Sequence, residues 1–118
     1  MIFFEFSGVL SLEIIMEGRN WILALPAEPK VAAQLVDFSG VTSSTLNFEQ
    51  IDTFARKRVL PPETMRAFVA PTSLTFGISR GFEALVDIYL HDGVTVFKTR
   101  KEALGWIKAG IEKASAAV

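Results

Sequence analysis

Four hydroxyl side chains, Ser39, Thr42, Ser43 and Ser44, fall within six residues shortly after Asp37. Such a cluster can hold a phosphate or a polar head group, or accept a phosphoryl group, and a carboxylate at its edge could serve as an acid or base. The same residues have ordinary uses. Hydroxyls ahead of a helix cap it and build turns, and a carboxylate ending a buried strand accepts hydrogen bonds from neighbouring amides. Four hydroxyls exceed what one cap requires, so the segment stands as a candidate binding site, while Asp37 reads as structural. Nothing nearby in the chain activates a serine, and a hydrolase is disfavoured.

Other reactive residue types are sparse. Arg80 lies between Gly77 and Gly81 and could meet an anion, although pairing with Glu83 or Glu102 is the simpler reading. Arg56, Lys57 and Arg58 form a basic run that reads as a solvated helix face beside Glu49 and Asp52. Its attraction to an anionic membrane surface would be modest, about 1 kcal/mol per charge, which allows peripheral contact at most. His91 precedes Asp92-Gly93 and reads as a turn residue. With one histidine and no cysteine, thiolate catalysis, cysteine zinc sites and histidine-based triads fall away, and neither an enzyme nor a bound cofactor or metal is expected. Twelve basic against thirteen acidic residues leave a net charge of −1, which disfavours nucleic acid as a partner. Trp21 and Trp106 either line a pocket or partner surface or pack with the indole edge exposed.

These residues must be positioned by strands and helices that the pattern makes visible. Ile2 to Phe6 is rich in strand formers and stops at the turn signal Ser7-Gly8. Ser11 caps a helix carrying Glu13 in its first turn and Leu12, Ile15, Met16, Trp21, Ile22 and Leu23 on one face; a hairpin from Glu13 to Leu25 is the competing reading. Pro26 to Pro29 ends this element. Leu35, Val36 and Phe38 then form a strand too continuously apolar to have a wet face, followed by a loop from Gly40 to Thr45.

Asn47 and Gln50 make a capping box for a helix whose inner face is Phe48, Ile51, Phe54 or Ala55, and Val59, stopped by Pro61-Pro62. Arg66 to Ala70 is a short strand ended by Pro71. Thr72 or Ser73 caps a third helix with Leu74, Ile78, Phe82 and Leu85 at helical spacing, and Gly77 and Gly81 suggest close packing on the sheet. Val94 to Phe97 is the fourth strand. Thr99 and Glu102 open a last helix that buries Ala103, Leu104, Ile107 and Ile111, with a fraying Ala/Ser-rich end.

Four strand-helix repeats without a composition break predict a single α/β domain over residues 1–118, with a four-stranded, mainly parallel sheet and four helices. A chain of this length buries roughly two thirds of its unfolded surface and needs no staple. In such sheets ligands gather at the carboxyl ends of the strands, here Ser7-Gly8, Ser39 to Ser44, Pro71 to Ser73 and Lys98-Thr99. The helices are expected to cover mostly one face, and ten phenylalanines supply an apolar surplus that could pair the other face with a second copy, as a homodimer. The opening Met-Ile-Phe-Phe-Glu-Phe reads as a strand and not a secretory signal, and no run approaches the ~18 apolar residues of a spanning helix, so a cytoplasmic protein is expected.

The segment Asp37-Phe38-Ser39-Gly40-Val41 resembles the central strand and loop of the STAS superfamily. Phe6-Ser7-Gly8-Val9-Leu10-Ser11, Arg66 to Pro71, Phe76 to Arg80 with Phe82-Glu83, and Val96 to Ile107 are similar to the bacterial SpoIIAA-like branch, often grouped with lipid-binding CRAL-TRIO domains. The resemblance implies a non-enzymatic regulatory module that presents Ser39 to Leu46 and the following helix to a protein partner. The phosphorylated serine of the anti-sigma-factor antagonists falls here on Leu46, and its preceding aspartate on Thr45, so that switch is missing in register. The CRAL-TRIO similarity implies an alternative: a binder of a small apolar or lipid-like ligand between the third helix and the sheet. Phe76, Ile78 and Phe82 would line its pocket and Arg80 would meet a head group.

Overall fold

The computed structural model describes residues 1–116 and contains β1 (Ile2–Leu10), α1 (Leu12–Leu23), β2 (Ala33–Ser44), α2 (Phe48–Ala55), β3 (Met65–Val69), α3 (Ser73–Leu90), β4 (Thr95–Phe97) and α4 (Arg100–Ala116). The strands form one all-parallel sheet in the order β1-β2-β3-β4. Right-handed crossovers between successive neighbours place every connecting helix on the same side. Accordingly Ile15 of α1, Ala55 of α2 and Val86 of α3 share a core with Val36, Phe38 and Phe68. The fourth helix follows the last strand and is free of that constraint. It packs Ala103 and Ile107 on the opposite face, against Leu35, Ala67 and Val69.

Local signals explain most of the boundaries. The Ser11 hydroxyl accepts from the Ile14 amide at the start of α1, and the helix, not the hairpin, forms. Asn47 and Gln50 close their capping box around α2, and Thr72 caps α3 by accepting from the Thr75 amide. His91 ends α3 in the left-handed conformation. Each fully buried aliphatic side chain such as Leu35 or Val86 then contributes about 1.5–3 kcal/mol of burial. Across the helix-covered face the rings of Phe6, Phe38, Phe68 and Phe82 touch in sequence, with centroids 5.6–5.7 Å apart.

The largest departure from expectation is at Ser7-Gly8 and Gly40 to Ser44, read as turn and loop. Both segments are strand: β1 and β2 continue as a two-stranded ribbon past the last β3 pairing, Asp37 with Val69. Register shifts after Glu5 and after Gly8 absorb the irregularity, with Gly8 at φ +73. Gly40 is required where the strands approach, because a Cβ there would meet the Ser7 Cβ at 2.9 Å. Leu10 and Val41, both buried in the core, anchor the ribbon.

Several helix faces also differ. Phe48 was expected inside but is 69 % exposed, and α2 ends before Val59, which packs beside Ile2, Ile22 and Leu60. The sheet-facing row of α3 is Thr75, Ser79, Phe82 and Val86, rotated from the expected one, and leaves Leu74 largely exposed. Gly77 and Gly81 face open space, so the close approach falls to the small Thr75 and Ser79. In α4, Leu104 and Ile111 are exposed, since one helix over a narrow strip of sheet buries only a narrow stripe. The basic run is not simply solvated. Arg58 forks onto Asp92, and Arg56 reaches both Asp52 and the Tyr89 hydroxyl, tying the end of α2 to the end of α3.

Candidate functional site

Strand alternation decides which side chains enter the helix-covered core. On β2 the inward set is Gln34, Val36 and Phe38, and on β3 it is Arg66 and Phe68. Gln34 and Arg66 are paired in register and point to the same side. The Arg66 Nε donates to the Gln34 Oε1 at 3.0 Å. The guanidinium carbon lies 5.8 Å from the Phe68 ring centre and 5.7 Å from that of Phe82. Among the described residues no carboxylate comes within ion-pair distance of Arg66. Burial lowers its pKa to about 10, with the charge of Asp92 opposing the fall and that of Arg19 adding to it.

Arg66 and Gln34 border a cavity of about 130 Å³ between the sheet and helices α1, α2 and α3. Its walls are mainly aliphatic and aromatic, including Phe4, Phe38, Ile51, Ile78 and Phe82. The polar part of the wall is one-sided: three cations, Arg19, Lys57 and Arg66, and no aspartate, glutamate or histidine. Arg19 is already engaged, donating from Nη2 to the Lys57 carbonyl at 3.1 Å and lying over the Phe54 ring. Ser79 completes the set. It is 2 % exposed, lines the cavity, and among the described residues its Oγ has no hydrogen-bond partner.

A second polar cluster occupies the opposite face. Asp37 is buried and accepts the amide and hydroxyl of Ser39 on Oδ1, at 2.8 and 2.5 Å. Arg100 donates Nε and Nη2 to its Oδ2, at 2.9 and 2.6 Å. Arg100 also reaches Glu5 and lies over the Phe3 ring. Burial alone would raise the Asp37 pKa, but the Ser39 bonds and then Arg100 more than offset it, holding the carboxyl below its ordinary range.

The residues singled out from the sequence divide between places. Ile78 and Phe82 line the cavity. Phe76 and Arg80 do not: Arg80 is exposed and bridges to Glu83, while Lys98 lies over the Phe76 ring. Ser39 and Ser44 are committed within the ribbon, Ser39 to Asp37 and Ser44 to the Leu10 carbonyl and the Leu46 amide. Thr42 and Ser43 are exposed on it. Trp21 stands half exposed against the edge of Phe4, and Trp106 rests on Phe97.

Arg66, Gln34 and Ser79 escaped the sequence reading, although a signal existed. Phe68 must be buried, and alternation puts Arg66 on its side of the strand, just as Val36 carries Gln34 inward. The chain matches no known family model, and no significant similarity appears to curated proteins or to solved structures.

Proposed function

We propose that this domain is a non-catalytic binding protein whose ligand is a small, largely apolar molecule held between α3 and the sheet. The observation that carries the reading is the cavity itself, about 130 Å³ of space walled by aromatic and aliphatic side chains. A space of that size can hold one small ring, since an apolar void of about 150 Å³ takes up benzene in another protein. The wall supplies no aspartate, glutamate or histidine to move a proton near neutral pH, which favours holding over turnover. Kinship with SpoIIAA-like and CRAL-TRIO proteins belongs to the same proposal and rests on the sequence motifs. Toluene titrated into the labelled protein should shift amide resonances around Ile51, Ile78 and Phe82. An unchanged spectrum up to the solubility limit of toluene sinks the reading.

A second reading, a module that docks a protein partner through the β2 end and α2, is favoured by Phe48. A phenylalanine 69 % exposed on the first residue of α2, just beyond the exposed Thr42 and Ser43, is a natural anchor. Phe48→Asp should abolish capture of such a partner while leaving toluene uptake intact.

A further inference from the structure

We propose that the cavity takes a compact monocarboxylate, an acid on a single ring or short apolar chain, with Arg66 as its counter-ion and Ser79 as a second donor. This rests on the binding reading above and adds the chemical class of the ligand.

Two independent features point to an anion. The first is a half-buried charge without an anionic partner. An arginine fork carries five N–H donors, and among the described residues only its Nε is used, on Gln34. Asp92, the carboxylate whose field reaches Arg66, is already held by the Arg58 fork at 2.8 and 2.9 Å. The aromatic faces of Phe68 and Phe82 soften the charge without neutralising it. An ionised group taken from water needs an opposite charge with good hydrogen-bond geometry, and a carboxylate offers the planar, two-oxygen match to the unused donors.

The second feature is the unpartnered hydroxyl. Ser79 lies three residues before Phe82 on α3, hence on the neighbouring turn of the same face, and Phe82 is the ring beneath Arg66. A buried hydroxyl without a partner is costly, and a carboxylate oxygen beside Arg66 would accept from it.

The rest of the wall sets the selectivity. Its ionisable residues are all cations, so a cationic ligand would meet repulsion throughout. With the whole chain at −1, this preference is local and does not come from the global field. A volume near 130 Å³ suits about one ring. Gln34 is a positioning residue, fixing the Arg66 plane through its Oε1.

The test is calorimetric titration of the intact protein at neutral pH with benzoate, toluene, benzylamine and phenyl phosphate, with amide shifts recorded in parallel. Benzoate should bind at least tenfold more tightly than toluene, moving the Gln34 and Arg66 resonances further than toluene does at saturation, and benzylamine should not bind. Arg66→Met should lose benzoate at least tenfold and bind toluene no more weakly. Equal affinity for benzoate and toluene overturns the counter-ion while the cavity reading stands. Failure of both probes overturns the cavity reading itself. Tighter binding of phenyl phosphate overturns the carboxylate class, and benzoate shifts confined to Arg80 and Lys98 overturn the location. The wild-type ratio of benzoate to toluene decides the matter even if the Arg66 variant does not fold.

Discussion

The two faces of the sheet treat buried polarity in opposite ways. On the α4 face, each oxygen of Asp37 receives two hydrogen bonds, one from the backbone and hydroxyl of Ser39 and the other from the Arg100 fork. On the face covered by the other three helices, among the described residues Arg66 has a single glutamine acceptor and Ser79 has none. Satisfied polarity fixes one strand arrangement against its neighbours, whereas incomplete polarity beside an open volume is suited to something arriving from outside. The difference arises from adjacent strand positions, since Gln34 and Leu35, or Asp37 and Phe38, face opposite sides.

If this contrast is right, truncation should act with opposite sign on the two faces. The largest effect is expected for Asp37→Ala, which strips Ser39 and Arg100 of their acceptor and should cost about 2–3 kcal/mol in urea denaturation. Arg100 is about half exposed and can rehydrate, which keeps the loss below that of a fully buried pair. Replacing Arg66 and Gln34 together, by Met and Leu, should instead stabilise the empty protein by about 1–2 kcal/mol, because apolar side chains replace both the charge that lacks an anion and its one acceptor. A cost as large as that of Asp37→Ala would make Arg66 a structural residue and erase the contrast.

The pH profiles sharpen it further. Asp37 has a lowered native pKa, so its contribution is present above the unfolded value of 3.8 and is lost as pH falls through the native value. Asp37→Asn should flatten the acid limb of a stability curve below about pH 4. For Arg66 the sign is reversed. Its native pKa of about 10 lies below the ordinary arginine value of the unfolded chain, so between them the unfolded chain binds more protons and stability rises with pH. The advantage of the variant that replaces Arg66 and Gln34 together should therefore be constant below pH 10 and shrink above it, as followed by denaturation of both proteins in parallel. The smallest change is expected for Ser79→Ala, a gain of up to about 1 kcal/mol in thermal unfolding, because an orphan hydroxyl is removed with little change of volume. A clear loss there would mean that the hydroxyl is satisfied in solution.

Much of the architecture was readable because its causes are local. Ser11, Asn47 with Gln50, Thr72, and Thr99 with Glu102 each act within three residues, and their hydrogen bonds form where the spacing places them. The Ser39 to Ser44 segment misled because glycine and hydroxyl residues mark bulges as well as loops. Whether pairing continues depends on the partner strand, through Gly40 against Ser7, and on the burial of Leu10 and Val41. The exposure of Phe48 was equally hidden, since a helix of eight residues satisfies its apolar stripe in more than one rotation.

The sequence by itself determined the strand-helix order, the caps and the scarcity of catalytic groups, all matters of residue type and short spacing. Only the tertiary structure decided that Arg66, Gln34 and Ser79 border one cavity while Asp37 is closed off by Arg100, 63 residues away. Partnership between buried polar groups depends on distances between elements far apart in the chain, and those distances are set by packing the whole core at once.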